Sequence, residues 1–64
     1  MTEQEIIEAI AKVEGISGMT VNERLWACGL MEEFDISLKN NKDKAKKILI
    51  LLGVDKPSIE EIVK

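Results

Sequence analysis

The sequence predicts an all-α domain: three main helices at about 3–14, 21–39 and 42–52, a short C-terminal helix at about 57–63, all in one unit spanning 1–64. Three observations carry this. Apolar residues recur every three to four positions over most of the chain. A Ser/Thr-x-x-Glu capping box stands at Thr2–Glu5, Thr20–Glu23 and Ser58–Glu61. No stretch alternates apolar and polar residues for long enough to make a strand. Helical periodicity bracketed by caps is the strongest local signal a sequence offers for this class.

The first helix begins at the Thr2 box. Ile6, Ala9, Ile10 and Val13 form its inward stripe, and Glu8–Lys12 is a favourable i, i+4 pair on the outside. Gly15 is expected to end the helix in a left-handed turn, with Ile16 folding back on the last turn. Gly15-Ile16-Ser17-Gly18 then leads to the Thr20 box.

The second helix, Val21 to about Lys39, is expected to be central. Ala27, Leu30, Met31, Phe34 and Leu38 share one broad face, and Val21, Leu25 and Cys28 make a second stripe nearly opposite. A helix apolar on two sides is normally surrounded by partners. It holds the only Trp, Phe and Cys of the chain. Gly29 interrupts it at a cost of roughly 1 kcal/mol relative to Ala. It marks either a close approach by a neighbouring backbone or a bend.

Asn40 and Asn41 suit a helix cap better than a helix interior, so the third helix starts near Lys42. Ala45, Ile48, Leu49 and Leu52 form its stripe, and Gly53-Val54 is a Schellman-type stop. One alternative competes. Met31, Phe34, Leu38, Asn41, Ala45, Ile48 and Leu52 keep a 3-4-3-4 spacing, which would make residues 30–52 a coiled-coil arm. The lack of a regular flanking charge pattern favours the hairpin. The fourth helix takes Pro57 in its first turn and presents Ile59, Ile62 and Val63 as a small apolar edge.

Composition narrows the function. There is no His and no Tyr, so the commonest acid–base side chain is missing. Cys28 has no imidazole to activate it and no second thiol for a disulfide or a zinc site, and it reads as a core residue. Glu32, Glu33 and Asp35 point in different directions around a helix. No glycine-rich phosphate loop occurs. The expectation is a non-enzymatic protein with no cofactor and no metal. No apolar run approaches the ~20 residues of a membrane span. A lone thiol without a signal-peptide pattern fits a cytoplasmic setting.

Charge is distributed unevenly. Residues 1–38 carry eight acids and two bases, net −6, and residues 39–64 carry seven bases and four acids, net +3. Lys39, Lys42, Lys44, Lys46 and Lys47 crowd into nine residues, offset only by Asp43. Such a cluster can bind phosphate backbones by counterion release, which makes nucleic-acid binding the alternative function. This half of the chain lacks Arg and aromatic residues, and the whole is acidic, unlike most nucleic-acid binders. The leading expectation is a protein–protein interaction module, a regulatory or accessory factor able to self-associate. Ile50 lies opposite the inward stripe between Lys46 and Lys47, with Leu51 on the flank, and Ile36 lies outside the main stripe of its helix. These five residues are the candidate contact surface.

Two resemblances bear on the middle of the chain. Thr20-Val21-Asn22-Glu23-Arg24-Leu25, then Gly29-Leu30 and Glu33-Phe34-Asp35, resemble a group of small uncharacterised bacterial proteins over about residues 19–53. That likeness implies a helical hairpin and no particular activity. The present chain departs from the group in a helix ahead of Met19 and in the Pro57 helix. Asp35-Ile36-Ser37-Leu38 is only superficially similar to the carrier-protein Asp-Ser-Leu motif. Here Ile36 separates Asp from Ser, and Ser37 falls inside a helix.

Overall fold

The computed structural model describes all residues, 1–64, and contains helices and turns without strands. Five α-helices follow in order: α1 (Glu3–Ala11), α2 (Val21–Ala27), α3 (Met31–Asn40), α4 (Lys42–Leu51) and α5 (Lys56–Ile62). A 3₁₀ turn at Ile16–Gly18 joins α1 to α2. The all-helical expectation holds; the count differs by one.

The difference lies at Gly29. The predicted helix from 21 to 39 is two helices, and Gly29 ends the first in the left-handed conformation at φ +70°. The N–H of Leu30 donates to the Leu25 carbonyl at 2.8 Å and that of Gly29 to the Trp26 carbonyl at 3.1 Å. This is a Schellman stop, satisfying carbonyls that the helix end would otherwise leave open. The close-approach reading of Gly29 is corrected, because a Cβ built there would meet nothing within 4 Å. The same device closes α4 at Gly53, where Val54 N–H reaches the Leu49 carbonyl at 3.0 Å as predicted.

Caps define the other boundaries. Thr2 and Thr20 both form complete capping boxes, with Glu5 and Glu23 returning the hydrogen bond at 2.8 Å. Helix α1 ends at Ala11, earlier than expected. Gly15 is left-handed, but it opens the 3₁₀ turn instead of closing the helix. Asn41 ends α3 and caps α4 at once: its N–H donates to the Ser37 carbonyl at 2.7 Å, and its side chain accepts from Lys44 N–H at 3.2 Å. The cap of α5 is Asp55, not Ser58, which instead donates its N–H and hydroxyl to the Asp55 carboxylate.

The hairpin is correct and the arm is excluded. A continuous helix over residues 31–52 would be about 33 Å long at 1.5 Å per residue. The largest extent of the whole molecule is 28 Å. Helices α3 and α4 fold back on each other about Asn41 and share the most extensive contact in the molecule.

The centre of the core lies on α4, which packs against α1, α3 and α5, while α2 packs against α3. That corrects the expectation of a central second helix. Ala45, Ile48 and Leu49 of α4 are enclosed, together with Leu25, Leu30 and Leu52, and Ile6, Cys28, Phe34, Ile59 and Val63 complete the cluster. The apolar edge predicted for α5 is split, because Ile62 is exposed.

One side chain spans three parts of this arrangement. Arg24 on α2 donates from Nε to the Met19 carbonyl at 3.0 Å, from Nη1 to the Leu52 carbonyl at 2.9 Å, and from Nη2 to the Ser17 carbonyl at 3.3 Å. Its guanidinium ties the 3₁₀ turn and the end of α4 to the start of α2.

The Gly29 assignment can be tested without altering any contact. Gly29→Ala places a Cβ in open space at positive φ, so its cost is conformational, about 1–2 kcal/mol. Gly18→Ala also meets open space, but at a φ that is not positive, and should be neutral or slightly stabilising. Urea unfolding of the two variants should separate them. Equal effects would contradict the left-handed assignment.

Candidate interaction surface

Helix α4 buries Ala45, Ile48 and Leu49, with Leu51 half-buried, and leaves Lys46, Lys47 and Ile50 facing outward. Ile50 is 57% exposed, and with Lys46 it lines a cleft of about 370 Å³ between α4 and α5. Val54, Lys56, Ile59 and Glu60 complete the lining. Ile59 belongs to the core and Val54 packs against it, so the cleft has an apolar floor continuous with the interior. Its charged rim is two lysines against one glutamate.

The five predicted contact residues do not form one surface. Ile50 and Lys46 share this cleft. Leu51 and Lys47 lie on another side of α4, in a second cleft of about 380 Å³ with Glu3, Ile6, Asn41, Asp43, Lys44 and Ile48. Leu51 is half-buried there and packs against the core. The charges of this second cleft balance, two acids to two lysines. Ile36 is exposed on α3 and lines neither cleft.

The lysine cluster is likewise divided. Lys44 Nζ donates to Glu33 Oε2 and to the Met1 carbonyl, each at 2.9 Å. Lys42 Nζ donates to the Lys64 carbonyl at 2.9 Å, and Lys47 Nζ lies 3.7 Å from Glu3 Oε1. Lys39 and Lys46 are exposed and have no ion-pair partner.

Trp26 is the functional candidate that pattern reading overlooked. It is 79% exposed, more than any other large apolar residue. The signal was present: Trp26 belongs to neither apolar stripe of its helix. Glu23 lies one turn earlier on the same face of α2 and is also exposed.

Other reactive groups are spoken for. Cys28 is buried, and burial pushes its thiol above the usual range, away from the nucleophilic thiolate. Ser37 is buried and donates its hydroxyl to the Glu33 carbonyl at 2.8 Å, so it presents no modification site. Of the Glu32–Glu33–Asp35 acids, only Glu33 turns inward, accepting from Lys44 and from the N-terminal ammonium at 3.2 Å. No three potential metal ligands converge. No helix is long and apolar enough to cross a membrane.

No family model, curated protein or solved structure matches the chain.

Four carboxylates are held below their ordinary range. Glu5 and Glu23 are lowered first by the backbone N–H of Thr2 and Thr20, Asp55 by the Ser58 hydroxyl, and Glu33 by Lys44. A lowered folded-state pKa means that the unfolded chain binds protons first as pH falls. The stabilisation is complete above about pH 5, beyond the ordinary carboxylate range near 4, and is lost as pH drops through the lower folded values. Urea midpoints should be flat from neutral pH to about 5 and fall below about 4. Glu23→Gln, which keeps a capping box, should flatten that fall. Stability that rises on acidification would contradict the assignment.

Proposed function

We propose that this chain is a small non-enzymatic protein–protein interaction module, a regulatory or accessory factor acting in the cytoplasm. A bacterial origin belongs to the same proposal and rests on the likeness over residues 19–53. One observation carries the reading: Ile50 stands exposed in a cleft whose floor, Val54 and Ile59, is continuous with the core. Single exposed apolar residues are ordinary. An exposed β-branched residue beside a ready-made apolar recess is the geometry of an anchor site, where buried apolar contacts carry most of the interface energy.

Nucleic-acid binding through Lys39, Lys42, Lys44, Lys46 and Lys47 is weakened by the intramolecular partners of three of them. Only Lys39 and Lys46 are fully free to release counterions from a phosphate backbone.

Ile50→Asp decides between the two. Ile50 is exposed, so the change should leave the helical circular dichroism intact and cost about 0.3–1 kcal/mol through the unfavourable charge near the end of α4. In affinity capture from a host lysate treated with nuclease, Ile50→Asp should lose the proteins that the parent retains. Lys46→Gln with Lys47→Gln should retain them. The reverse pattern, with nuclease-sensitive capture, would favour nucleic acid.

A further inference from the structure

We propose that the α4–α5 cleft receives Trp26 of a second copy of this chain. The inference rests on the interaction reading of the cleft and names its occupant. Three features point to the chain itself. The first is the unpartnered indole: the only aromatic side chain besides the buried Phe34 stands 79% in solvent, where Trp is a costly residue to expose and a common interface anchor. The second is fit. The cleft offers about 370 Å³ with an apolar floor of Val54 and Ile59 and exposed Ile50 at its side, ample for one indole.

The third is charge. The neighbour of Trp26 one turn earlier on the same face is exposed Glu23. The cleft's rim carries Lys46 and Lys56 against Glu60. Seating Trp26 in a neighbour's cleft brings Glu23 toward those lysines. The balanced charges of the other cleft, beside Leu51, offer no such complement. The contact joins two different patches, so it is heterologous, and each copy has one donor and one acceptor. One indole in one cleft buries far less than the ~1,200 Å² of a stable interface, which places the association in the weak range of roughly 0.1–1 mM.

The chain's own fluorescence provides the test. It has one Trp and no Tyr, so a Trp26→Ala variant is nearly silent in emission but keeps an intact cleft. An Ile50→Asp variant keeps Trp26 but spoils the cleft. Sedimentation velocity of the parent should show concentration-dependent association, with Trp26 emission moving to shorter wavelength, and each variant alone should stay monomeric. Titrating Trp26→Ala into Ile50→Asp should then restore a saturable shift to shorter wavelength, because the first supplies the cleft and the second the indole. Glu23→Gln in the fluorescent partner should weaken that binding by about two- to five-fold, and added salt should do the same. If Ile50→Asp does not fold, Ile50→Lys takes its place, since a cation suits the end of a helix. A parent that stays monomeric to about 1 mM overturns the inference, as does a mixture that shows no shift, or association that survives both single changes. A monomeric parent that still captures a protein in an Ile50-dependent way overturns only the second copy as occupant, and leaves the interaction module standing.

Discussion

The Arg24 guanidinium is the constraint on which the rest of the arrangement depends. A 64-residue chain with one Cys has no cross-link and buries only about 60% of its unfolded surface, so its core alone holds it weakly. The helices are short, and α2 is only seven residues, too short to persist without tertiary support. Arg24 answers that weakness by donating to three backbone carbonyls, two in the preceding turn and one, Leu52, 28 residues away. The planar, fixed fork of guanidinium donors suits this; an ammonium is a point charge on a flexible stem. Its bond to Leu52 also places a cation at the C-terminal end of α4, where the helix dipole favours one.

That clamp connects the core to the proposed site. Leu52 precedes Gly53 and Val54, and Val54 forms part of the cleft floor. Arg24 Nη1 is 3.6 Å from where a Cβ on Gly53 would lie, so the guanidinium lies beside the turn. The left-handed Gly53 turn redirects the chain from α4 to Asp55, which starts α5. The two walls of the cleft are thus set by one turn, and that turn is held by one side chain from α2. Since α2 also carries Trp26, the same short helix holds the proposed anchor and secures the proposed receptor.

Much of this was legible in the residues. The inward stripe of α4, the Thr2 and Thr20 boxes, the Asn41 cap and the Gly53–Val54 stop all follow from periodicity and local hydrogen-bonding chemistry. The break at Gly29 carried the same signature as Gly53, a glycine followed by an apolar residue. There the stripe of Ala27, Leu30, Met31 and Phe34 runs on through the break and hides it, and Leu25 and Cys28 before the break share one core with Leu30 and Phe34 after it. The Asp55 cap was masked by the better-looking Ser58–Glu61 box three residues later. Arg24 left no mark at all, since its partners are carbonyls, which every residue has. The contact surface was half visible: Ile50 follows from its place opposite the stripe, but Val54 and Ile59 join it only through the turn between α4 and α5.

The most direct test of the account is the stability of Arg24→Lys. Lysine keeps the charge and most of the aliphatic stem but cannot reach three carbonyls from one planar fork. Hydrogen bonds from a charged group contribute about 1.5–3 kcal/mol each at most, and this group is partly solvated. Urea unfolding of Arg24→Lys should therefore show a loss of about 2 kcal/mol or more with the denaturant slope unchanged, a large share of what a domain this small possesses. A loss within about 0.5 kcal/mol, the range of an ordinary surface substitution, would mean that the guanidinium decorates the junction without holding it.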